Sequence, residues 1–318
     1  MSFHTHYIGA RLGKNKGMFT KPTSCPNIGC KSAIASGIKF YIKKGYYKTQ
    51  HNGERVPRYQ CKECETTFSS RANLPSFRDK KPALNQQIFK LYASGLTQRR
   101  MAILLNTTRA TVARKVLKIA LSAELHHLKQ LSRGKLKTDY IQFDEMMSFE
   151  HSNYKQIGIA VSVRVKTGEI LDIQIEPIRC RGKLALTLPK KFKHWGTQKK
   201  VIVDSVISNL AHFCVRNPSK CTIETDSSRH YVNVIKKHLP LAKHVPLLAR
   251  GAKKSKLGKK TKRKQPKSLF VLNSVCAKIR NDLSRMARRT WVTAKDWNRL
   301  QLHLNIYIAW NNGYRLRV

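Results

Sequence analysis

The sequence predicts a multidomain protein of α/β class: a small cysteine-held ribbon, a helical pair, and a larger α/β domain with a mixed sheet. Three observations predict it. Two close cysteine pairs, Cys25/Cys30 in CPNIGC and Cys61/Cys64 in CKEC, fall within residues 1–83. Apolar residues then recur at helical spacing over 84–131. From residue 140 onwards, β-like runs alternate with helical ones. The divisions that follow are 1–83, 84–132 and 133–318, with the polar stretch RGKLKTD (133–139) as linker.

Charge narrows the class of partner. The chain carries 63 Lys+Arg against 17 Asp+Glu, a formal net charge of +46, with 41% apolar residues to build a core. Such a chain repels itself unless it meets a polyanion, nucleic acid first and an anionic membrane surface second. No apolar run reaches the roughly 18 residues of a spanning helix. The opening MSFHTHYIGARLGK lacks the apolar stretch of a secretory signal. Eight cysteines are too sparse for a disulfide scaffold and point to metal binding in a reducing compartment, hence the cytoplasm.

In the first segment, each cysteine pair suits a tight turn, and HNG lies between them as a turn signal. Two such turns place four thiolates around Zn²⁺, a zinc ribbon in which the metal substitutes for a core that Lys-rich sequence cannot supply. The remaining thiols, Cys180, Cys214, Cys221 and Cys276, stand alone among apolar neighbours and read as core.

The second segment, GLTQRRMAILLNTTRATVARKVLKIA, has the order of a helix-turn-helix. Thr97 caps a first helix, Ala102 sits at its close contact, and Asn106 tolerates the left-handed turn. Val112 and Val116 pack the second helix back, which leaves Arg109, Thr111, Arg114 and Lys115 to meet the major groove of double-stranded DNA. A plain helical hairpin has the same pattern.

In the third segment, Tyr140, Ile141 and Phe143 read as a short buried strand ending in Asp144 and Glu145. IGIAVSVRV (157–165) and EILDIQIEP (169–177) form a hairpin across Lys166-Thr167-Gly168; VIVDSVISNLAHFCV is helical, and CTIETD is a strand ending in Asp226. Helices at about 269–289 and 296–310 close the chain, after the basic run 250–267. Carboxylates at strand ends are where open α/β sheets place chemistry. Asp144 and Asp226 on adjacent strands could share Mg²⁺ (or Mn²⁺), which completes its shell with water and phosphate oxygens. Paired metals would assist an in-line displacement at phosphorus. Glu145, Glu150 and Glu224 read as supporting or structural acids, Asp204 as a surface ion-pair partner, and Arg280, Arg285, Arg288 and Arg289 as phosphate clamps. The bland alternative is that the acids serve as ion-pair partners in a basic chain.

Taken together, FDEMMSFEH, SGLTQRRMAILLNTTRATVARK and the segment from NSVCAKIRNDLSRMARRTW to HLNIYIAWNN resemble a bacterial insertion-sequence transposase of the DDE class, of the insertion sequence 1 type. The resemblance implies an RNase H-like catalytic fold, Mg²⁺ or Mn²⁺, cutting and joining at inverted-repeat ends, a homo-oligomer at the synapse, and no membrane. It also implies a third metal ligand on a helix after the last core strand. Here the sequence departs: beyond Asp226 it holds no Glu, and only Asp282 and Asp296. The family position aligns with Asn273, whose amide oxygen brings no charge, giving Asp144, Asp226 and Asn273 as the expected set. Asp282 lies nine residues further along, about 13 Å at a helical rise, too far to share that site. The missing acid keeps a catalytically inactive DNA-binding regulator open as the alternative; a structured-RNA binder is the third reading.

Overall fold

A computed structural model of the chain describes residues 21–22, 24–27, 29–33, 39–49, 53–72, 79, 81–180, 182–196, 200–247, 269–287 and 292–316. The polypeptide divides into two compact units, Met1–Pro82 and Ala83–Val318. The basic run 250–267, Arg288 and Arg289 lie outside the described residues.

The first unit is a three-stranded antiparallel sheet, β1 (Tyr41–Lys48), β2 (Arg55–Cys61) and β3 (Thr67–Ser69), in that order. Its buried cluster is small: Phe40, Tyr41, Tyr59 and Phe68 beside Cys25, Cys30 and Cys61. Phe40 and Phe68 stack with centroids 6.2 Å apart. Most of β1 is exposed, as its Lys-rich sequence dictates.

The second unit opens with α1 (Ala83–Ala93), α2 (Gln98–Leu104) and α3 (Arg109–Ser132), followed by β4 (Tyr140–Glu150), β5 (Ser152–Arg164) and β6 (Ile170–Pro177). Then come the short α4 (Lys183–Leu186), α5 (Lys200–Asn209) running into a π turn at Leu210–Cys214, β7 (Thr222–Asp226), α6 (Arg229–His238), β8 (Lys243–Leu247), α7 (Phe270–Asp282) and α8 (Trp297–Asn311). The mixed sheet has the order β6-β5-β4-β7-β8. β4–β5 and β5–β6 pair antiparallel; β4–β7 and β7–β8 pair parallel.

Alternation along β4 splits the core between two faces. Ile141 and Phe143 pack with Val203, Val206, Tyr231 and Ile235 from α5 and α6. Met146, Ile159 and Val161 pack with Leu272, Ile279 and Leu304 from α7 and α8. The helices α1 to α3 bury their own cluster, which takes in Ile306 and Ala309 of α8. Because α8 is apolar on more than one side, it serves two clusters. The helical segment and the sheet therefore lie within one compact unit, Ala83–Val318.

Two elements differ in length from the sequence reading. β4 continues past Asp144 to Glu150, held by β5 along its length and turned at His151, whose φ is +56°. The long final-but-one helix stops at Asp282: Leu283 turns extended and buries with Met286, so the chain re-enters the core instead of continuing as helix. At this place Gly95, with φ +80°, touches Asp282; a Cβ there would lie 1.9 Å from the Asp282 carbonyl oxygen, so only glycine fits.

Candidate functional site

The β4–β7 register pairs Tyr140 with Thr222, Ile141 with Ile223 and Gln142 with Glu224. Two residues on, along the same face, stand Asp144 and Asp226. Asp144 is thus inside a strand, yet it marks the point where that strand's parallel ladder stops and the two carboxylates become neighbours. Asp144 Oδ1 accepts the Glu145 N–H at 2.7 Å, and Asp226 Oδ1 accepts the Ser228 N–H at 2.9 Å. Burial, then the nearby charges of Asp226 and Glu145, push the Asp144 carboxyl up to about 6 against the Glu145 N–H, which lowers it. Among the described residues, no lysine or arginine forms an ion pair with Asp144 or Asp226. In a chain of net charge +46, these two acids stand out for lacking a basic partner.

The other acids are placed structurally. Glu224 is buried and accepts the Tyr140 hydroxyl at 2.6 Å and Gln142 Nε2 at 2.8 Å. Gln142 Oε1 in turn accepts the Leu272 N–H at 3.0 Å, which fixes the start of α7 to β4. Glu150 accepts Lys155 Nζ at 2.7 Å and the Trp297 N–H at 2.8 Å. Asp204 pairs with Lys237 and His238.

On α7, Asn273 lies on the exposed side of the first turn and is not its cap, which falls at Leu269. Three residues on along α7 is the Cys276 thiol. Burial pushes it up to about 11; Arg280 opposes this and Asp144 adds to it, so both lie within electrostatic reach. Asp282 is engaged elsewhere, accepting the Tyr307 hydroxyl at 2.8 Å. Sequence reasoning missed Tyr231. It sits on the apolar face of α6 with Val234 and Ile235, and nothing in that spacing announces where its hydroxyl goes. The hydroxyl lies 2.7 Å from Glu145 Oε2 and 3.4 Å from Asp144 Oδ1. Burial and the three surrounding carboxylates push it far up, so it stays a donor.

The four ribbon cysteines converge. Cys25 and Cys64 Sγ are 3.6 Å apart, Cys30 and Cys61 Sγ 3.7 Å, and all four sulfurs lie within 4.8 Å of one another. A tetrahedral cation with about 2.3 Å metal–sulfur bonds needs sulfur separations of about 3.8 Å. Among the described residues this is the one group of three or more His, Cys, Asp or Glu side chains arranged to hold a metal ion. Cys214 and Cys221 are buried core thiols.

In the helix pair, Thr97 caps α2 through the Arg100 N–H at 3.4 Å, Thr108 caps α3 through the Thr111 N–H at 3.2 Å, and Asn106 has φ +44°. Arg109 and Arg114 are exposed. Thr111 is half-buried, its hydroxyl 3.0 Å from that of Thr108. Lys115 corrects the sequence reading: it is buried, and Nζ donates to Asn85 Oδ1 at 2.8 Å. One position before Val116, it falls on the packed side of α3 instead of the exposed side.

No known protein-family model matches this chain, and no curated protein matches it. Among the described residues no helix is long and apolar enough to cross a membrane.

Proposed function

We propose that this chain is a metal-dependent DNA strand-cleaving and strand-joining enzyme, a transposase of the DDE class with an RNase H-like catalytic sheet. The observation that carries this reading is the placement of Asp144 and Asp226 side by side, without a basic partner, where the parallel ladder of β4 and β7 ends. The strand order β6-β5-β4-β7-β8, with β5 antiparallel to its neighbours, agrees with the fold the resemblance implies.

Oxygen donors alone suit a hard cation such as Mg²⁺ or Mn²⁺. When bound there, the cation would supply Lewis-acid activation of the attacking and leaving oxygens. Asp144 and Asp226 would hold it, and Asn273, at the family position on α7, would add a neutral oxygen. Arg280 of α7 offers a phosphate contact close to the acids. In the helix pair, Arg109 and Arg114 present positive charge to a major groove, with Thr111 at the edge. The thiol set of the first unit is read as a structural Zn²⁺ site, and the assembly on paired DNA ends as a homo-oligomer. Cytoplasmic action on the chromosome follows from the same reading.

The test is nicking of duplex DNA bearing inverted repeats, with and without Mg²⁺. Metal-dependent nicks at the repeat ends support the enzyme. Tight binding with no cleavage in either Mg²⁺ or Mn²⁺ supports the DNA-binding regulator instead, a reading favoured by Asn in place of an acid at position 273, the α7 carboxylate Asp282 being bonded to the Tyr307 hydroxyl.

A further inference from the structure

Tyr231 has one hydroxyl proton and two carboxylate neighbours. Its oxygen lies 2.7 Å from Glu145 Oε2 and 3.4 Å from Asp144 Oδ1, and its ring meets Phe143 edge-on with centroids 5.2 Å apart. The side chain is buried. Neighbouring strand residues point to opposite faces, so Asp144 and Glu145 would ordinarily diverge. The hydroxyl ties them together just beyond the last β4–β7 pair, where no backbone hydrogen bond between those strands holds the carboxylates in place.

We propose that Tyr231 is a positioning residue for the cation site, sharing its proton between Glu145 and Asp144 so that the Asp144 carboxylate is held beside Asp226 before any cation arrives. The inference rests on the reading of Asp144 and Asp226 as the cation ligands. Glu145 anchors the hydroxyl by its shorter bond. Asp144, at the longer distance, would release the hydroxyl most easily on binding a cation, leaving it hydrogen-bonded to Glu145 alone. Groups that orient metal ligands in this way matter for affinity because they spare the ligand a reorganisation on binding. The ring geometry fixes the hydroxyl: α6 packs Tyr231 against Phe143, a residue of the same strand as both acids, so donor and acceptors sit on one rigid frame.

The experiment is a Mn²⁺ titration of the full-length protein without DNA, reading free Mn²⁺ by electron paramagnetic resonance, with thermal unfolding recorded alongside. Asp144→Asn should remove the Mn²⁺ site. Tyr231→Phe, which keeps the ring, should raise the Mn²⁺ concentration for half-saturation about tenfold, the usual scale for losing a group that orients a metal ligand. Glu145→Gln retains an acceptor for the hydroxyl and should shift it by no more than about twofold, well short of that scale. If Asp144→Asn removes the site and Tyr231→Phe leaves half-saturation unchanged, the tyrosine is a packing residue and this inference is wrong while the cation site stands. If Glu145→Gln removes the site as fully as Asp144→Asn, Glu145 is itself a ligand, and the anchoring role given to it is wrong. If the unmodified protein binds no Mn²⁺, or Asp144→Asn binds it as well, the cation site and the inference fall together.

Discussion

The four thiols of the first unit and the carboxylate pair of the second differ in what holds them in place. Around Cys25, Cys30, Cys61 and Cys64 the buried cluster amounts to a few aromatic rings, and three of the thiols are themselves part of it. Around Asp144 and Asp226 stand two large clusters, one on each face of a five-stranded sheet. A unit with so little apolar burial depends on its staple. A sheet packed on both faces does not, and it can carry repelling carboxylates because the surrounding core fixes them. The difference teaches that, on the proposed reading, metal in the first unit would be a condition of folding, whereas metal in the second would be a condition of chemistry.

The largest expected effect breaks the comparison if it fails. Cys61→Ser, or a strong chelator, should unfold the first unit and leave the second folded, seen as loss of β1–β3 signals in NMR with those of β4–β8 retained. Purified without chelator, the protein should contain one Zn²⁺ per chain. A zinc-free protein with an intact first unit would show that the aromatic cluster suffices.

Acid should act on the second unit, through His303. The ring is buried, stacked on Tyr92 at 3.9 Å, and its Nε2 lies 3.0 Å from the Tyr92 carbonyl oxygen, while Nδ1 has no partner. Burial, with Arg285 adding to it, pulls this histidine down to about 3 from 6.5. Below 6.5 the unfolded chain takes up a proton that the folded chain refuses. Its contribution to stability should therefore fall as pH drops from 6.5 towards 3, by roughly 1 kcal/mol per pH unit, while the raised Asp144 carboxyl acts in the opposite sense below pH 6. Urea unfolding across that window measures the slope, and His303→Gln should flatten it.

A smaller effect separates two adjacent residues of α3. Lys115→Ala strands Asn85 in the core and should cost roughly 1–3 kcal/mol of stability while leaving DNA affinity per folded molecule unchanged. Arg114→Ala should leave stability alone and weaken binding to element ends more than to random DNA. Affinity of the unmodified protein should fall with salt at a log–log slope of roughly −6 to −9, for several neutralised phosphates. If Arg114→Ala weakens both DNAs equally, Arg114 contacts phosphate and reads no bases. The smallest effect concerns Asn273: Asn273→Asp should lower the Mg²⁺ concentration needed for cleavage, and Asn273→Ala should raise it.

How far the sequence could be read follows the same contrast. The cysteine pairs, the cap Thr97, the left-handed Asn106 and the hairpin at Gly168 were legible because each depends on local chemistry. The neighbourly placement of Asp144 and Asp226 was inferable from strand order. Three things were not legible. The extension of β4 to Glu150 depends on pairing with β5, a partner that periodicity within one strand does not reveal. The burial of Lys115 depends on Asn85, 30 residues away. Tyr231 looks like any core aromatic until the fold brings its hydroxyl to two acids from 86 and 87 residues earlier.

The central claim, that Asp144 and Asp226 together hold the cation for DNA cleavage, is tested most directly by a Mg²⁺ titration of nicking on inverted-repeat DNA with the unmodified protein, Asp144→Asn and Asp226→Asn. The account predicts metal-dependent nicking by the unmodified protein alone, with both variants inactive at every Mg²⁺ concentration yet binding the same DNA as well or more tightly, because a charge that repels phosphate has been removed. Nicking by either variant at the unmodified rate would contradict it.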